Sequence, residues 1–572
     1  MSVAAPAAPQ RVILRRHDEG SNVSAETLDP SPLRTRASRA QDDKRWLCSL
    51  AVALVVLCGL PYVLSALFGP PDLERMGTFW FSRDFSQYQA AMREGARQSS
   101  WLIHDHFSVE PHSAALMYAL YVAAGKFAAV VGLSDFAVFV GLEWLGRFAV
   151  LGATYFFAAT FLKTKSQRRL AVLLSLFALG LDAWVAPLRL ALDGLGVHGL
   201  AGLLPDTINP YLEVSSFGVL LSAPHLMLGL ALTLACAPLY LRAIGGRRIW
   251  LVVLGLTVLS LSVVHSFNAP VLVSVLVAHA ALTGRRAWPA AIVAGLAAAP
   301  MALYSVLLYQ TDPFWSGTYS AQNIMPSPAP WSLPFDFGLV LLAAPLAWPV
   351  VRHWPIERKR LILLWIGLGL LWMYAPVAYQ RRFAFGVQPA LAVLAGIGLV
   401  ELSTWMRVQR ISGVGKRVIN YGVFLAAVST SLLVYVSLLA GALVNRPAEV
   451  YLWSRPEAAA ARWLGEHSTA LDTVLASTEY ANPLAGTIDG RVVHGHIVAT
   501  LRSSYKSALV ERFFSADASV ADRSEILRES QATVVAFGPH ERLLGATDVS
   551  TTPGLTPIYD VDGVQLFRVA AP

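Results

Sequence analysis

The chain has 572 residues, 55% of them hydrophobic and only 14% charged, against roughly 25% charged in water-soluble domains; with a mean hydropathy of +0.51, it reads as a polytopic membrane protein. The formal net charge of +8 falls in short clusters between apolar stretches, where basic residues set orientation, so nucleic acid is excluded as a partner. Cys48 and Cys58 stand about 15 Å apart along one helical stretch and Cys236 lies in another, which excludes a disulfide framework and a cysteine metal site.

In chain order, residues 1–45 are polar and rich in Pro, Ser, Ala and Arg, and predict a disordered cytoplasmic tail. Residues 46–68 exceed a signal-peptide core and lack a small-residue cleavage site, so they predict a retained membrane helix. Further apolar stretches run at 113–131, 137–162, 170–188, 223–243, 249–266, 270–283, 288–309, 335–351, 361–379, 384–404 and 418–444. Basic clusters at Lys163 to Arg169, Arg247 and Arg248, Arg285 and Arg286, Arg352 to Arg360, and Arg407 to Arg417 are expected on the cytoplasmic side.

With the tail inside the cell, this pattern places loop 70–112 and everything after about 445 outside the plasma membrane. Parity fails only between that loop and the cluster at 163–169. Segment 113–131, which carries Lys126, is therefore expected to be re-entrant or interfacial. The expectation is eleven full spans plus this segment, within about 11–13 membrane helices.

Residues 445–572 change character and predict a small α/β extracytoplasmic domain. Ser454-Arg455-Pro456-Glu457 is a capping box with proline in the first turn. Short apolar runs at 473–476, 492–493, 533–537 and 564–569 predict strands, and 519–530 a helix. No phosphate loop or nucleophile elbow is present, so the domain reads as a cap or acceptor-binding module. A Pro and Ser cluster at 326–334, inside loop 310–334, predicts an ordered turn or a lid.

The acid most suited to chemistry is Asp84, in Ser82-Arg83-Asp84-Phe85-Ser86-Gln87-Tyr88, directly after the first span. A carboxylate there can take a proton from an acceptor hydroxyl and stabilise positive charge developing on a sugar. Asp84, Tyr88 and Met92 fall on one helical face, so Tyr88 is placed to fix the carboxylate or contact sugar.

Asp84, Tyr88, Gly95 and Glu110-Pro111-His112 resemble the first external loop of the C-type (GT-C fold) membrane glycosyltransferases, such as the protein O-mannosyltransferases and lipid A aminoarabinose transferases. That loop carries an acid followed by Tyr, a Gly-containing helix and a Pro-containing approach to the next membrane helix. The resemblance implies an inverting transfer from a polyprenyl-phosphate donor, with Asp84 as base and Tyr88, Asp105, Glu110 and His112 shaping the site. The adjacent acidic pair common in the class is absent, since Phe85 follows Asp84. If a divalent metal takes part, Asp105, Glu110 and His112 are the residues that could supply a second ligand.

Arg381 and Arg382, in Tyr379-Gln380-Arg381-Arg382-Phe383, fall on the predicted outer side and break the positive-inside trend. Planar guanidinium groups suit a donor phosphate, and anchoring to lipid headgroups is the plainer use of such residues. His112, His225 and His265 recur at predicted outer helix ends and together could line a polar cavity, with Asp193, Asp206 and Glu213 nearby in sequence. Glu143 and Arg147, four apart, predict a structural ion pair inside the membrane.

The expected function is transfer of a sugar from a polyprenyl-phosphate donor to an envelope glycan, lipid or protein acceptor at the outer face of the bilayer. Alternative readings are a transporter or flippase of lipid-linked glycan, for which no paired broken helices are visible, and a non-catalytic relative of the C-type enzymes.

Overall fold

The computed structural model describes residues 36–204, 212–444 and 451–570. Contacts divide the chain into a unit ending at Leu50 and one running from Ala51 to Pro572. The described part of the first unit is the opening of helix α1 (Arg36–Phe68). Arg36 to Arg45, read from the sequence as the end of the tail, are thus helical; residues 1–35 lie outside the described residues.

In the second unit, strand β1 (Leu73–Met76) leads into helix α2 (Ser82–Arg97), and an extended stretch then reaches α3 (Ala119–Val131). A side chain at Gly95 would come within 2.4 Å of the Val122 carbonyl oxygen, and one at Gly125 within 1.8 Å of the Met92 carbonyl oxygen. The two glycines therefore let α2 and α3 meet backbone to backbone. Helix α3 has 13 residues, a rise of about 20 Å against a hydrocarbon core of about 30 Å. It is too short to cross alone.

Helix α4 (Asp135–Phe161) is capped by Ser134, whose hydroxyl accepts the Ala137 amide, and carries the buried Glu143–Arg147 pair at 3.3 Å. Arg147 also donates to the Leu220 carbonyl at 3.1 Å. The predicted ion pair is present, and the Arg147 Nε–H is met by backbone.

Among the described residues six helices are individually long and apolar enough to span, or eight counting two bent pairs. Expected span 170–188 is helix α5 (Lys165–Phe177) followed by α6 (Asp182–Gly194), bent by 51°; expected span 335–351 is a pair bent by 104°. Expected spans 249–266 and 270–283 are helices Arg248–Val264 and Asn268–Thr283, of 17 and 16 residues. These reach only about 25 Å. Apolar windows in the sequence counted the turn residues that end each helix, so the count of eleven full spans exceeds the helices that are long enough.

Two ends of the bundle collect different loops. Arg286 pairs with Glu357, and His279 Nε2 lies 2.9 Å from the Glu357 carbonyl oxygen, joining two of the basic clusters. At the other end, Ser113 N donates to Asp312 at 3.1 Å, and Gln322 donates to the carbonyls of Val498 and Thr500 at 3.0 and 2.8 Å. Tyr374 donates to the Pro328 carbonyl at 3.0 Å, so the Pro and Ser cluster is an ordered turn.

The C-terminal part opens with β2 (Tyr451–Ser454), which pairs antiparallel with β1, Leu73 opposite Ser454 and Glu74 opposite Trp453. Ser454 caps helix Arg455–His467 through the predicted reciprocal box with Glu457. Strands β3 (Thr473–Leu475), β4 (Arg491–Val492), β5 (Val534–Phe537), β6 (Leu555–Val561) and β7 (Val564–Val569) form one sheet in the order β4-β3-β5-β7-β6. β3 is parallel to β4 and β5, and β7 is antiparallel to β5 and β6. Val474 of β3 packs in one core with Trp453, Tyr480 and Ile488, all at most 1% exposed; each such apolar side chain contributes about 1.5–3 kcal/mol when withdrawn from water. β2 and β6 were not foreseen.

Candidate functional site

Phe81 turns into the left-handed region (φ 59°) to start α2, and Asp84 falls in the first turn, at the positive end of the helix dipole. Asp84 is 37% exposed, and its Oδ1 lies 3.0 Å from Nε2 of His496, which is 4% exposed. The other ring nitrogen, Nδ1, accepts the amides of Val498 and Ala499 at 3.1 and 3.2 Å. Those two donors engage the lone pair of Nδ1, which leaves Nε2 to face Asp84.

The Gln87 side-chain amide lies 2.8 Å from the same Nε2. Its oxygen accepts from the hydroxyl of Tyr118 at 2.7 Å and stands 3.0 Å from that of Tyr319. Tyr319 also stands 3.0 Å from Oδ2 of Asp105, whose Oδ1 accepts the Phe107 amide at 2.7 Å. Burial pushes the Asp105 carboxyl up to about 6, against the opposing pull of those two hydrogen bonds. Asp84 and Asp105 are thus linked through His496, Gln87 and Tyr319.

Tyr88, one turn beyond Asp84, is buried, with its ring stacked on Tyr121 at 4.4 Å. Burial first, and the Asp84 charge next, push its hydroxyl well above the ordinary value, while Arg382 pulls the other way. The hydrogen-bond donor to Asp84 is His496, not Tyr88.

Glu110 and His112 turn elsewhere. Glu110 Oε2 takes Lys506 Nζ and Ser108 Oγ at 2.6 Å each. Burial raises the Glu110 carboxyl, but the Lys506 and Ser108 bonds outweigh it and hold it below its usual value. His112 accepts the Asp105 amide on Nε2 at 2.9 Å, has Nδ1 2.8 Å from the Glu110 carbonyl oxygen, and stacks on Phe314 at 4.0 Å. Burial pushes it down to about 4.

Arg381 and Arg382 diverge. Arg381 Nε is 3.2 Å from Glu213 Oε2, which neutralises it. Arg382 donates to Asn323 Oδ1 at 3.1 Å and lies 4.9 Å over the Phe267 ring. Its buried Nε has no hydrogen-bond partner, and among the described residues it forms no ion pair. Phe267 also lines a cavity of about 360 Å³ walled by Pro270, Met301, Val306, Tyr309 and Phe383. An under-satisfied guanidinium thus sits beside an apolar cavity.

A divalent ion needs several free oxygen or nitrogen ligands converging on one point. Both nitrogens of His112 are engaged, Glu110 is held by Lys506, and Asp105 by Tyr319 and the Phe107 amide. Among the described residues no three His, Cys, Asp or Glu side chains gather. The arrangement among the described residues does not fit such an ion.

Of the three outer histidines, His225 and His265 come together, rings 6.1 Å apart, with His225 Nδ1 2.9 Å from the Tyr121 hydroxyl. His112 lies apart from them, against Phe314. Asp193 stays with His198 at 3.2 Å, and Asp206 falls outside the described residues. Sequence reading passed over Gln87, Tyr118 and Tyr319, and gave His496 no role. The one signal for His496 was its run, Gly490 to His496, between short apolar segments; its partner is 412 positions away.

No family model matches this sequence, and no curated protein matches it. Solved structures do match the fold. The apo oligosaccharyltransferase of Archaeoglobus fulgidus aligns with a TM-score of 0.51 at 10% identity, over 93% of this chain and 75% of that one. The same enzyme tethered to an acceptor peptide containing the NVT sequon gives 0.51 at 11% identity, over the same shares. Arabinofuranosyltransferase AftD from Mycobacteria gives 0.50 at 13% identity, over 92% of this chain and 42% of that one. The likeness is one of fold: a multi-pass, GT-C-like helical bundle followed by a small sheet domain.

Proposed function

We propose that this protein is a membrane glycosyltransferase that moves a sugar from a polyprenyl-phosphate donor to an envelope glycan, lipid or protein acceptor. The reaction is assigned to the extracytoplasmic side, where the first loop and the C-terminal domain meet. The observation that carries this reading is that Asp84 stands part-exposed at the start of α2, held by His496, while Arg382 keeps a buried, unpartnered Nε beside an apolar cavity.

The chemistry divides between them. As the acceptor oxygen bonds to the anomeric carbon, its proton passes to Asp84, while the bond from that carbon to the phosphate oxygen breaks on the opposite face, inverting the centre. Polyprenyl phosphate leaves with the electron pair, and its added charge meets Arg382, whose planar fork suits two phosphate oxygens. Arg381, already paired with Glu213, serves to hold the loop. The cavity takes the first isoprene units. The fold of the solved counterparts, one an oligosaccharyltransferase and one an arabinofuranosyltransferase, supports the class of reaction and leaves hexose or pentose open.

Purified protein given radiolabelled polyprenyl-phosphate hexose and pentose should transfer or release the sugar from one of them. Asp84→Asn, which keeps size and removes charge, should cut turnover ~10²–10⁴-fold with the fold intact. Full activity in Asp84→Asn refutes the assignment of the base. Movement of intact donor across vesicles with no sugar released would favour a transporter instead.

A further inference from the structure

We propose that His496 is a positioning residue for Asp84, and that the C-terminal domain, by supplying it, completes the reaction site. This rests on the glycosyltransferase reading and assigns that domain a task within it. Among the described residues the hydrogen-bond partner of the Asp84 carboxylate is His496, at 3.0 Å. Nδ1 accepts two backbone amides, which fix the plane of the ring. His496 therefore acts on Asp84 by its position. It holds one oxygen of Asp84 and leaves the other for the acceptor's proton.

The registration of the two residues is built into the fold. Asn482, fully buried, donates from one Nδ2 to the carbonyl of Arg83 at 3.2 Å and to that of Gly495 at 2.7 Å. Those are the residues immediately before Asp84 and before His496. Its Oδ1 accepts the Ser86 hydroxyl at 2.8 Å. On the far side, Thr500 Oγ1 accepts the amides of Gly495 and His496 at 3.2 and 3.1 Å, and donates to the Phe107 carbonyl at 2.7 Å. The loop that carries His496 is thus tied to both ends of the first external loop. One asparagine and one threonine set the imidazole against the carboxylate, and a carboxylate misplaced by about 1 Å can lose 10²-fold in rate.

The test uses the full chain in detergent, with the radiolabelled polyprenyl-phosphate hexose and pentose as probes. His496→Ala should lower kcat about 10²-fold with donor KM within about twofold, because the donor phosphate is held elsewhere. His496→Gln, whose amide nitrogen can stand where Nε2 stood, should restore most of the loss. Placed on Asp84→Asn, His496→Ala should add nothing, since it acts only through that carboxylate. An unchanged kcat in His496→Ala overturns the proposal. So does a loss that glutamine leaves unrepaired in a protein with a wild-type melting profile, or a full further loss on the Asp84→Asn background. A wild-type protein that turns over neither donor removes the glycosyltransferase reading itself, and the proposal with it.

Discussion

Arg381 and Arg382 illustrate how two adjacent, identical side chains acquire different roles from their neighbours. Arg381 spends its charge on Glu213, while Arg382 keeps a buried, unpartnered Nε beside apolar walls. Arg382→Lys retains charge but loses the planar fork, and should weaken donor binding roughly tenfold or more, whereas Arg381→Lys should leave it near wild type. Headgroup anchoring predicts wild-type affinity for both, so a binding isotherm with the labelled donor in one detergent separates the accounts. Asp105 and His112 give a second residue-scale expectation. The folded carboxyl of Asp105 titrates near 6 instead of 3.8, so its contribution to stability is full below pH 3.8 and is lost as pH rises to about 6. The folded imidazole of His112 titrates near 4 instead of 6.5, so its contribution is full above pH 6.5 and is lost as pH falls to about 4. The slopes oppose and largely cancel in the wild type. Relative to wild type, Asp105→Asn should gain stability between pH 4 and 6 and His112→Gln should lose it, each by on the order of 2 kcal/mol. Parallel curves in detergent melts would contradict the burial of both groups.

At the scale of elements, the α2–α3 contact depends on two glycines, and a methyl group at Gly125 would have to occupy the space of the Met92 carbonyl. Gly125→Ala should push α3 away from the helix that carries Asp84, costing about 1–3 kcal/mol and lowering turnover; a wild-type melting temperature and kcat would show that the helices can part freely. What was legible in the sequence follows from the range of the interactions. The Ser454 capping box, the Glu143–Arg147 pair, and helix Val520–Ser530 depend on residues a few positions apart, and each is present. Strands β3 and β5 were legible as apolar runs because they are buried on both faces, and β7 because Val564, Leu566 and Phe567 are buried. β6, at the sheet edge, is mostly exposed or half-exposed and carries no apolar run. Asp84 was legible as an acid at an exposed helix start, but its partner was not, because no pattern of spacing links position 84 to position 496. The bends after Phe177 and Asp336 were hidden for a different reason: mean hydropathy over a window is blind to direction.

For the whole molecule, the expected orientation places the tail in the cytoplasm and the C-terminal domain outside. With the three native cysteines replaced, a cysteine introduced at Ser519, an exposed cap of its helix, should react with an impermeant maleimide on intact cells, and one at Ser21 should react only after lysis. The reverse pattern would invert the orientation. The pairing of β1 with β2 fixes a relation that holds in either orientation: the first loop and the C-terminal domain share a side. It also sets a schedule. The ribosome releases Asp84 412 residues before His496, which at about 5–20 residues per second is a delay of roughly 20–80 s. Throughout that interval the nascent first loop carries an open strand edge and a carboxylate without its histidine. On the proposed reading, a chain stalled before residue 496 should therefore turn over donor no faster than His496→Ala does.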